Sequence, residues 1–295
     1  MSESEMDTVG VDTAVASPGT SVYPSKISFA SESLADGLPD RYLSDDGCPV
    51  SWETALERYQ NHRIGEEASS DANGYTGGLR QRAKSKMATI YKADRTFRAE
   101  FDNPRVGLAT IFGKYSPVDP NYGPILDYEQ VLAEAIDGAA QTIKYRLRQK
   151  RSSEYALIEA GTGTNGVPHW HLIVWADKTD ANGLRTDLEA IVCRAQEKLP
   201  SNLREFDPDI NELPSGAVRV DDSPNTDLKV FPADKNREPA NPIARYVGNQ
   251  LPHVGSADPE VNVHDGMTKA ELQFGAIADA SSRRGYRSSA GVSRF

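Results

Sequence analysis

The residues best suited to chemistry in this chain are the two histidines of His169-Trp170-His171. The run that follows, to Trp175, is apolar and β-branched and predicts a buried strand. Side chains alternate along a strand, so both imidazoles point to one face while Trp170 points to the other, into the core. Two imidazoles on one strand face form half of a metal site. The alternative is a pair of packed polar side chains without a ligand.

A carboxylate lies one predicted hairpin upstream of the histidines. Residues 155–159 predict a strand, and the Gly-rich segment that follows predicts the loop into the histidine strand. With a loop over about 161–167, Glu159 lies opposite His169 and completes a His-His-Glu site with open positions. Such mixed ligands suit Mg²⁺ or Mn²⁺, and Zn²⁺ less well. The alternative for Glu159 is an ion pair with a nearby Arg or Lys.

The elements that must position these residues follow from hydrophobic periodicity. Helices are expected at 127–150, 182–199 and 242–251, and strands at 106–112, 155–159, 170–175, 216–221 and 227–231. Asn241 and Pro242 form a cap and first turn for the last helix. The order β-α-β-β-α-β-α predicts an α+β fold of ferredoxin-like or RRM-like type, an antiparallel sheet with helices packed on one face.

Composition divides the chain into four parts. Residues 1–47 are acidic and aperiodic, which predicts disorder, and 48–100 predict a helical N-terminal extension. The predicted sheet and its helices occupy a domain at 101–255. Residues 256–295 predict a partly disordered tail, with four arginines and no acid among the last fifteen residues.

The net charge of −10 is unevenly distributed, since nine acids against two basic residues in 1–47 account for −7 of it. Sparse lysine with abundant aspartate resembles the composition of proteins from salt-loving cytoplasms. Two distant cysteines and the lack of a long apolar run or leader predict a cytoplasmic protein without a membrane partner. Basic helix segments are candidates for DNA contact or solvated faces: Arg80, Arg82, Lys84, Lys86, Lys144, Arg146 and Arg148.

Three motifs in this order resemble the HUH endonucleases, in which U is a hydrophobic residue. The histidine pair follows a Gly-x-Pro sequence, as in the family's metal motif. The run Leu108-Ala109-Thr110-Ile111-Phe112 resembles the first motif of rolling-circle replication initiators. Tyr246, on the helix predicted downstream, matches their nucleophile. Relaxases carry the tyrosine before the histidines, so the order favours an initiator, with the composition pointing to a haloarchaeal plasmid or virus.

The resemblance implies an HUH endonuclease fold over 101–255 and a metal-dependent nickase. Glu159, His169 and His171 would hold Mg²⁺ or Mn²⁺, and Tyr246 would form a 5′-phosphotyrosine, release a 3′-hydroxyl and later rejoin the ends. Partners would be single-stranded or hairpin origin DNA and the host helicase and polymerase. The usual lysine after the tyrosine is missing. Candidates for assisting at the phosphate are Asn249 and Gln250, on the tyrosine's helix face, and the adjacent Arg245.

Three alternatives remain open, and two others are disfavoured. A single-strand transposase shares the motif order, and a DNA-binding regulator of the same fold would have lost the nucleophile. For Tyr246 itself the alternative is an aromatic ring packed under its helix. A cupin metal enzyme is disfavoured because Trp175 and Ala176 stand where its glutamate is required. A histidine-triad hydrolase is disfavoured because Ile173 stands at its third histidine position.

Overall fold

The computed structural model describes residues 28–72, 79–117, 119–149, 153–177, 180–208, 213–215, 217–220, 242–251, 268–281 and 285–295. Its strands are β1 (Arg105–Ile111), β2 (Glu154–Gly161), β3 (Pro168–Ala176), β4 (Val218–Val220) and β5 (Tyr286–Ser288). Its helices are α1 (Trp52–Ala72), α2 (Leu79–Glu100), α3 (Ile125–Ile143), α4 (Ala181–Lys198), α5 (Pro242–Asn249), α6 (Lys269–Ala280) and α7 (Ala290–Ser293). A π-helical segment, Lys144–Gln149, continues α3, and four short 3-10 helices lie at Glu32–Gly37, Asp40–Tyr42, Pro120–Tyr122 and Ser201–Leu203. None of the helices in these ranges has the length and hydrophobicity needed to cross a bilayer.

The five strands form one antiparallel sheet in the order β4-β1-β3-β2-β5. α3 connects β1 to β2, a hairpin connects β2 to β3, and α4 follows β3 on the way to β4. The α+β class and the order β-α-β-β-α-β are therefore confirmed over 105–220. The further strand expected at 227–231 lies outside the described residues. β3 is the central strand, so the two histidines lie in the middle of the sheet.

Helices cover both faces of the sheet. Leu172 packs into one core cluster with α3 and α4, and Ile173 packs into a second cluster with α2 and α5. The prediction that helices pack on only one face of the sheet is therefore wrong. All nine residues of β3 are buried, and a strand buried on both faces has no need of alternating polar residues. In the sequence, the continuous apolar run after His171 is the feature that indicates burial of this strand on both faces.

Both chain regions that composition predicted to be disordered are partly built into the fold. Residues 28–47, inside the predicted disordered segment, are ordered because Phe29 packs its ring 5.3 Å from Tyr42 and 4.8 Å from Trp52. Residues 1–27 lie outside the described residues. In the predicted tail, α6 packs against α1, β5 pairs with β2, and Val292 of α7 is buried. Apolar burial outweighs the polar composition in both places.

The predicted helical extension is also part of the same core. α1 and α2 are helical as expected, but α2 packs its buried Ile90 and Phe97 against the sheet instead of standing apart from it. Trp175 of β3 fixes this contact, because its indole Nε1 donates to Asp94 Oδ1 of α2 at 3.0 Å. The helix that carries the basic residues therefore lies on the same sheet face as the histidines.

Candidate metal and tyrosine site

β3 places both imidazoles on the sheet face covered by α2 and α5. The rings of His169 and His171 lie nearly perpendicular, with centroids 4.6 Å apart and the two Nε2 atoms 3.0 Å apart. Both are buried, with exposed fractions of 8% and 1%. The prediction that strand alternation brings the two histidines together on one face is confirmed. Trp170, on the opposite face, is buried in the other cluster as expected.

Gln250 completes this cluster from the end of α5. Its Oε1 lies 2.7 Å from Nε2 of His171, and its amide also interacts with His169. Gln250 follows the last residue of α5, and Val247 anchors that helix in the core. An amide oxygen and two imidazole nitrogens therefore converge on one point. The sequence spacing predicts Gln250 near the tyrosine as an assisting residue and does not indicate its contact with the histidines.

The outer nitrogens of the two rings also have partners. Thr110 of β1 pairs directly with His171, and its Oγ1 lies 3.2 Å from Nδ1 of that ring. Nδ1 of His169 lies 3.5 Å from the backbone oxygen of Val167. Contacts at Nδ1 orient an imidazole and leave Nε2 to face a ligand. Thr110, the threonine of the first motif, thus contributes to the site by orienting the imidazole of His171.

Burial keeps both imidazoles neutral at physiological pH. Desolvation lowers the pKa of His169 from 6.5 to about 4. Desolvation and the neighbouring His169 lower the pKa of His171 to about 3, and the positive charge of Arg219 lowers it further. Neutral imidazole is the form that binds metal ions. Both rings therefore have the neutral charge state that metal binding requires, and ligation by Nε2 of His171 would move its proton to Nδ1.

Tyr246 stands beside the pair on the exposed side of α5. Its ring centroid lies 5.4 Å from that of His171, at an interplanar angle of 62°. The side chain is 46% exposed, so it is not an aromatic packed under its helix. Tyr246 and Gln250 are one helical turn apart and both meet His171. Asn249 and Arg245 belong to the same helix, but their side chains lie outside what the structure describes.

Glu159 lies on the wrong side of the sheet for this cluster. It pairs with Trp170, whereas Ala160 is the residue opposite His169. Directly paired residues share a face, so Glu159 and the histidines point to opposite faces. The predicted position of Glu159 opposite His169 is wrong by one residue of register, and the proposed His-His-Glu ligand set loses its carboxylate. Glu159 is instead buried near Gly285, on the side of Trp170.

The remaining donors fit a divalent cation. Among the described residues, no group of three or more His, Cys, Asp or Glu side chains is arranged for a metal ion. The set here is two imidazoles, which suit Zn²⁺ and other transition metal ions, and one amide oxygen, which suits Mn²⁺ or Mg²⁺. The 3.0 Å between the Nε2 atoms is the separation of two ligands at right angles with bonds of about 2.1 Å. Tyr246, which is half-exposed, lies beside these donors.

The predicted DNA-binding residues fall into two separate groups. Arg82, Lys84 and Lys86 are exposed on α2, on the face of the site, while the side chain of Arg80 lies outside the described part. The second group lies after α3, on the segment that leads into β2. There Lys144 is exposed, whereas Arg146 and Arg148 form ion pairs with Asp187 and Glu154.

Sequence reasoning missed Arg219, which belongs to the histidine face through β4. No local signal marks this residue, because its position depends on pairing with β1, more than a hundred residues earlier. Comparison with family models, curated proteins and solved structures gives no match for the chain.

Proposed function

We propose that this protein cuts and rejoins single-stranded DNA through a covalent bond to Tyr246, as an HUH-type nickase that starts rolling-circle replication. The observation that carries the proposal is the meeting of Tyr246 and Gln250 at His171, with ring centroids 5.4 Å apart and Oε1 2.7 Å from Nε2. A nucleophile, two imidazoles and an amide oxygen at one exposed edge of a buried cluster suit phosphoryl transfer. The order β-α-β-β-α-β of a ferredoxin-like or RRM-like fold supports the same proposal.

The covalent step uses the accessibility of Tyr246. Its phenolic oxygen attacks the phosphorus of a DNA phosphodiester, and its proton leaves to the solvent that reaches the half-exposed ring. The bond from phosphorus to the 3′-oxygen breaks and this oxygen takes a proton from solvent, so one strand end becomes a 5′-phosphotyrosine and the other a free 3′-hydroxyl. Attack by a 3′-hydroxyl on the phosphotyrosine reverses the step and rejoins the strand without ATP. The free 3′-hydroxyl would prime the host polymerase after a helicase has opened the duplex.

His169, His171 and Gln250 would hold Mg²⁺ or Mn²⁺ beside the reacting phosphate. A divalent cation there supplies positive charge for the non-bridging oxygens as negative charge develops on them. Gln250 takes the ligand position that the hairpin spacing predicts for Glu159. Thr110 holds His171 in orientation through Nδ1. The DNA strand would approach over the exposed side of α5, with Arg82, Lys84 and Lys86 of α2 on the same face for phosphate contacts.

The test uses the full chain and a labelled library of random-sequence single-stranded oligonucleotides, incubated with Mn²⁺ or Mg²⁺ and, separately, with EDTA. The expected result is a protein–DNA adduct that survives SDS, depends on the metal and maps by mass spectrometry to the peptide containing Tyr246. Tyr246→Phe should remove the adduct. His169→Ala should do the same while leaving most DNA binding intact.

Tyr145→Phe is the matched control for the nucleophile. Tyr145 is 58% exposed and lies on the π-helical segment after α3, which precedes β2. The adduct should persist in this variant. Binding of single strands without any adduct would instead indicate a DNA-binding regulator of the same fold. An adduct that persists in Tyr246→Phe would remove Tyr246 as the nucleophile.

A further inference from the structure

Arg219 is the cation that the sheet brings to the histidine face. It is the middle residue of the edge strand β4 and pairs with Leu108 of β1. Leu108 in turn pairs with Ile173 of β3, two residues beyond His171. Directly paired residues share a face of the sheet. Arg219 therefore extends from the sheet edge on the same side as His171, Tyr246 and Gln250.

The guanidinium of Arg219 has no partner within the described part of the chain. Its side chain is exposed, and within the described residues it forms no hydrogen bond or ion pair. By contrast, Arg98, Arg146 and Arg148 are held by Asp94, Asp187 and Glu154. Two strand pairings place Arg219 and His171 on one face of the sheet. An exposed arginine without a partner among the described residues is suited to bind an anion from solution.

The helix of Tyr246 does not bring a cation of its own on the C-terminal side. The residues that follow the tyrosine are Val247, Gly248, Asn249 and Gln250. A phosphodiester carries one negative charge, and phosphoryl transfer needs positive charge around its non-bridging oxygens. The guanidinium fork matches two phosphate oxygens at once. Arg219 lies on the same face of the sheet, on the strand beyond β1.

We propose that Arg219 binds the scissile phosphate beside Tyr246, and so supplies positive charge that the four residues after the tyrosine do not provide. This proposal rests on the proposed function, because it assigns a residue to the same phosphoryl transfer. Arg219 would clamp the phosphate from the sheet edge, while Tyr246 attacks it from α5. Both groups are exposed and lie on one face of the sheet, so a single strand that crosses this face from β4 towards β3 would contact both.

The first test measures binding without chemistry. Arg219→Ala, Arg219→Lys and wild type are titrated in EDTA with the oligonucleotide recovered from the adduct experiment, over a range of salt concentrations. Loss of one phosphate contact should reduce the slope of log affinity against log salt by about 0.7 for a single strand. Arg219→Lys should keep the wild-type slope. Arg194→Ala is the matched control, since Arg194 is an exposed arginine of α4 that pairs with Glu197, and it should change nothing.

The second test asks which phosphate Arg219 contacts. Release of the 3′-hydroxyl fragment is followed in a single turnover at saturating DNA, with either a normal linkage or an uncharged methylphosphonate at the cleavage site. With the normal linkage, Arg219→Ala should be slower than wild type by about 100-fold, as for loss of one transition-state donor. With the methylphosphonate the two proteins should react at similar rates, because no charge is left for the arginine to neutralise.

The outcomes separate the two proposals. If wild type forms no Tyr246 adduct with any strand, the proposed function fails and this assignment fails with it. If wild type forms the adduct and Arg219→Ala keeps both the rate and the salt slope, only the role of Arg219 fails. An equal loss of rate on both linkages would likewise overturn it, since that pattern indicates damage to the fold. Circular dichroism of Arg219→Ala, compared with Arg194→Ala, measures that damage directly.

Discussion

Gln250 Oε1 lies 2.7 Å from Nε2 of His171, although 79 positions separate the two residues in the chain. This contact joins the end of α5 to the central strand of the sheet. Tyr246 lies one helical turn before Gln250 and meets the same imidazole. The position of the proposed nucleophile and the proposed third metal ligand are thus fixed by one helix docking on one strand.

Gln250 should determine metal affinity. Loss of a residue that only orients a ligand costs about 10–100-fold in affinity, and loss of a ligand costs at least as much. Gln250→Ala should therefore weaken Mn²⁺ binding by about 100-fold or more, measured by calorimetry on the metal-free protein. Gln250→Glu should retain binding, because a carboxylate oxygen replaces the amide oxygen. Gln130→Ala, a change on α3 across the sheet, is the control, and an equal effect there would contradict the assignment.

Glu159 should not contribute to the affinity for the metal ion. It pairs with Trp170 and points away from the histidines, so Glu159→Gln should leave the affinity for Mn²⁺ unchanged in the same calorimetric measurement. His169→Ala, run in parallel, should abolish it. A loss of affinity in Glu159→Gln as large as in His169→Ala would mean that this carboxylate lies on the histidine face and that the pairing of β2 with β3 differs from that described.

The error over Glu159 shows how much of this site local sequence can determine. Alternation along a single strand placed His169 and His171 together, because that rule depends only on neighbouring residues. Placing Glu159 required the length of the hairpin loop as well. Gly161 pairs with Pro168, one residue away from the predicted alignment. A slip of one residue moves a side chain to the other face of a sheet.

The contacts between residues far apart in the chain could not be predicted from local sequence patterns, for a related reason. The spacing from Tyr246 to Gln250 predicted a shared helix face, which was sufficient to propose that both act together. It could not show that this face meets His171, because the docking of α5 depends on its contact with α2. Arg219 depends on a strand pairing across more than a hundred residues. Element order was predictable, whereas register and docking had to be observed.

Acid should destabilise the metal-free protein through the two histidines. Burial lowers the pKa of His169 to about 4 and of His171 to about 3, below the value of 6.5 for a free side chain. Between pH 6.5 and about 4 the unfolded chain therefore binds protons that the folded protein does not. The stabilisation is fully present above pH 6.5 and is lost as the pH falls through that window.

The measurement is urea unfolding in EDTA across this pH range. Each histidine should contribute a slope of up to about 1.4 kcal/mol per pH unit to the free energy of unfolding. The double variant His169→Gln, His171→Gln carries no titrating group at these positions and should show a shallower dependence. Identical slopes for the variant and the wild type would contradict the burial of the neutral imidazoles.

Gly248 should be essential for the docking of α5. A Cβ placed there would come within 2.7 Å of Cε1 of Tyr91 and 3.2 Å of Cγ of Met87, both on α2. Gly248→Ala should therefore push α5 away from α2, at a cost of about 1–3 kcal/mol for overpacking. The gain in helix propensity of about 1 kcal/mol offsets only part of this cost. Because α5 carries Tyr246 and is followed directly by Gln250, the variant should also lose adduct formation and affinity for Mn²⁺.

Gly65→Ala is the matched control for this substitution. Gly65 is an exposed glycine of α1, and a methyl group added to it would have no heavy atom within 4 Å. Alanine there should stabilise the protein by about 0.5–1 kcal/mol, because it relieves the entropic cost of glycine in a helix. Urea unfolding of the two variants separates propensity from packing. If Gly248→Ala gains stability as Gly65→Ala does, α2 and α5 are not in close contact, and the placement of Tyr246 over His171 needs another explanation.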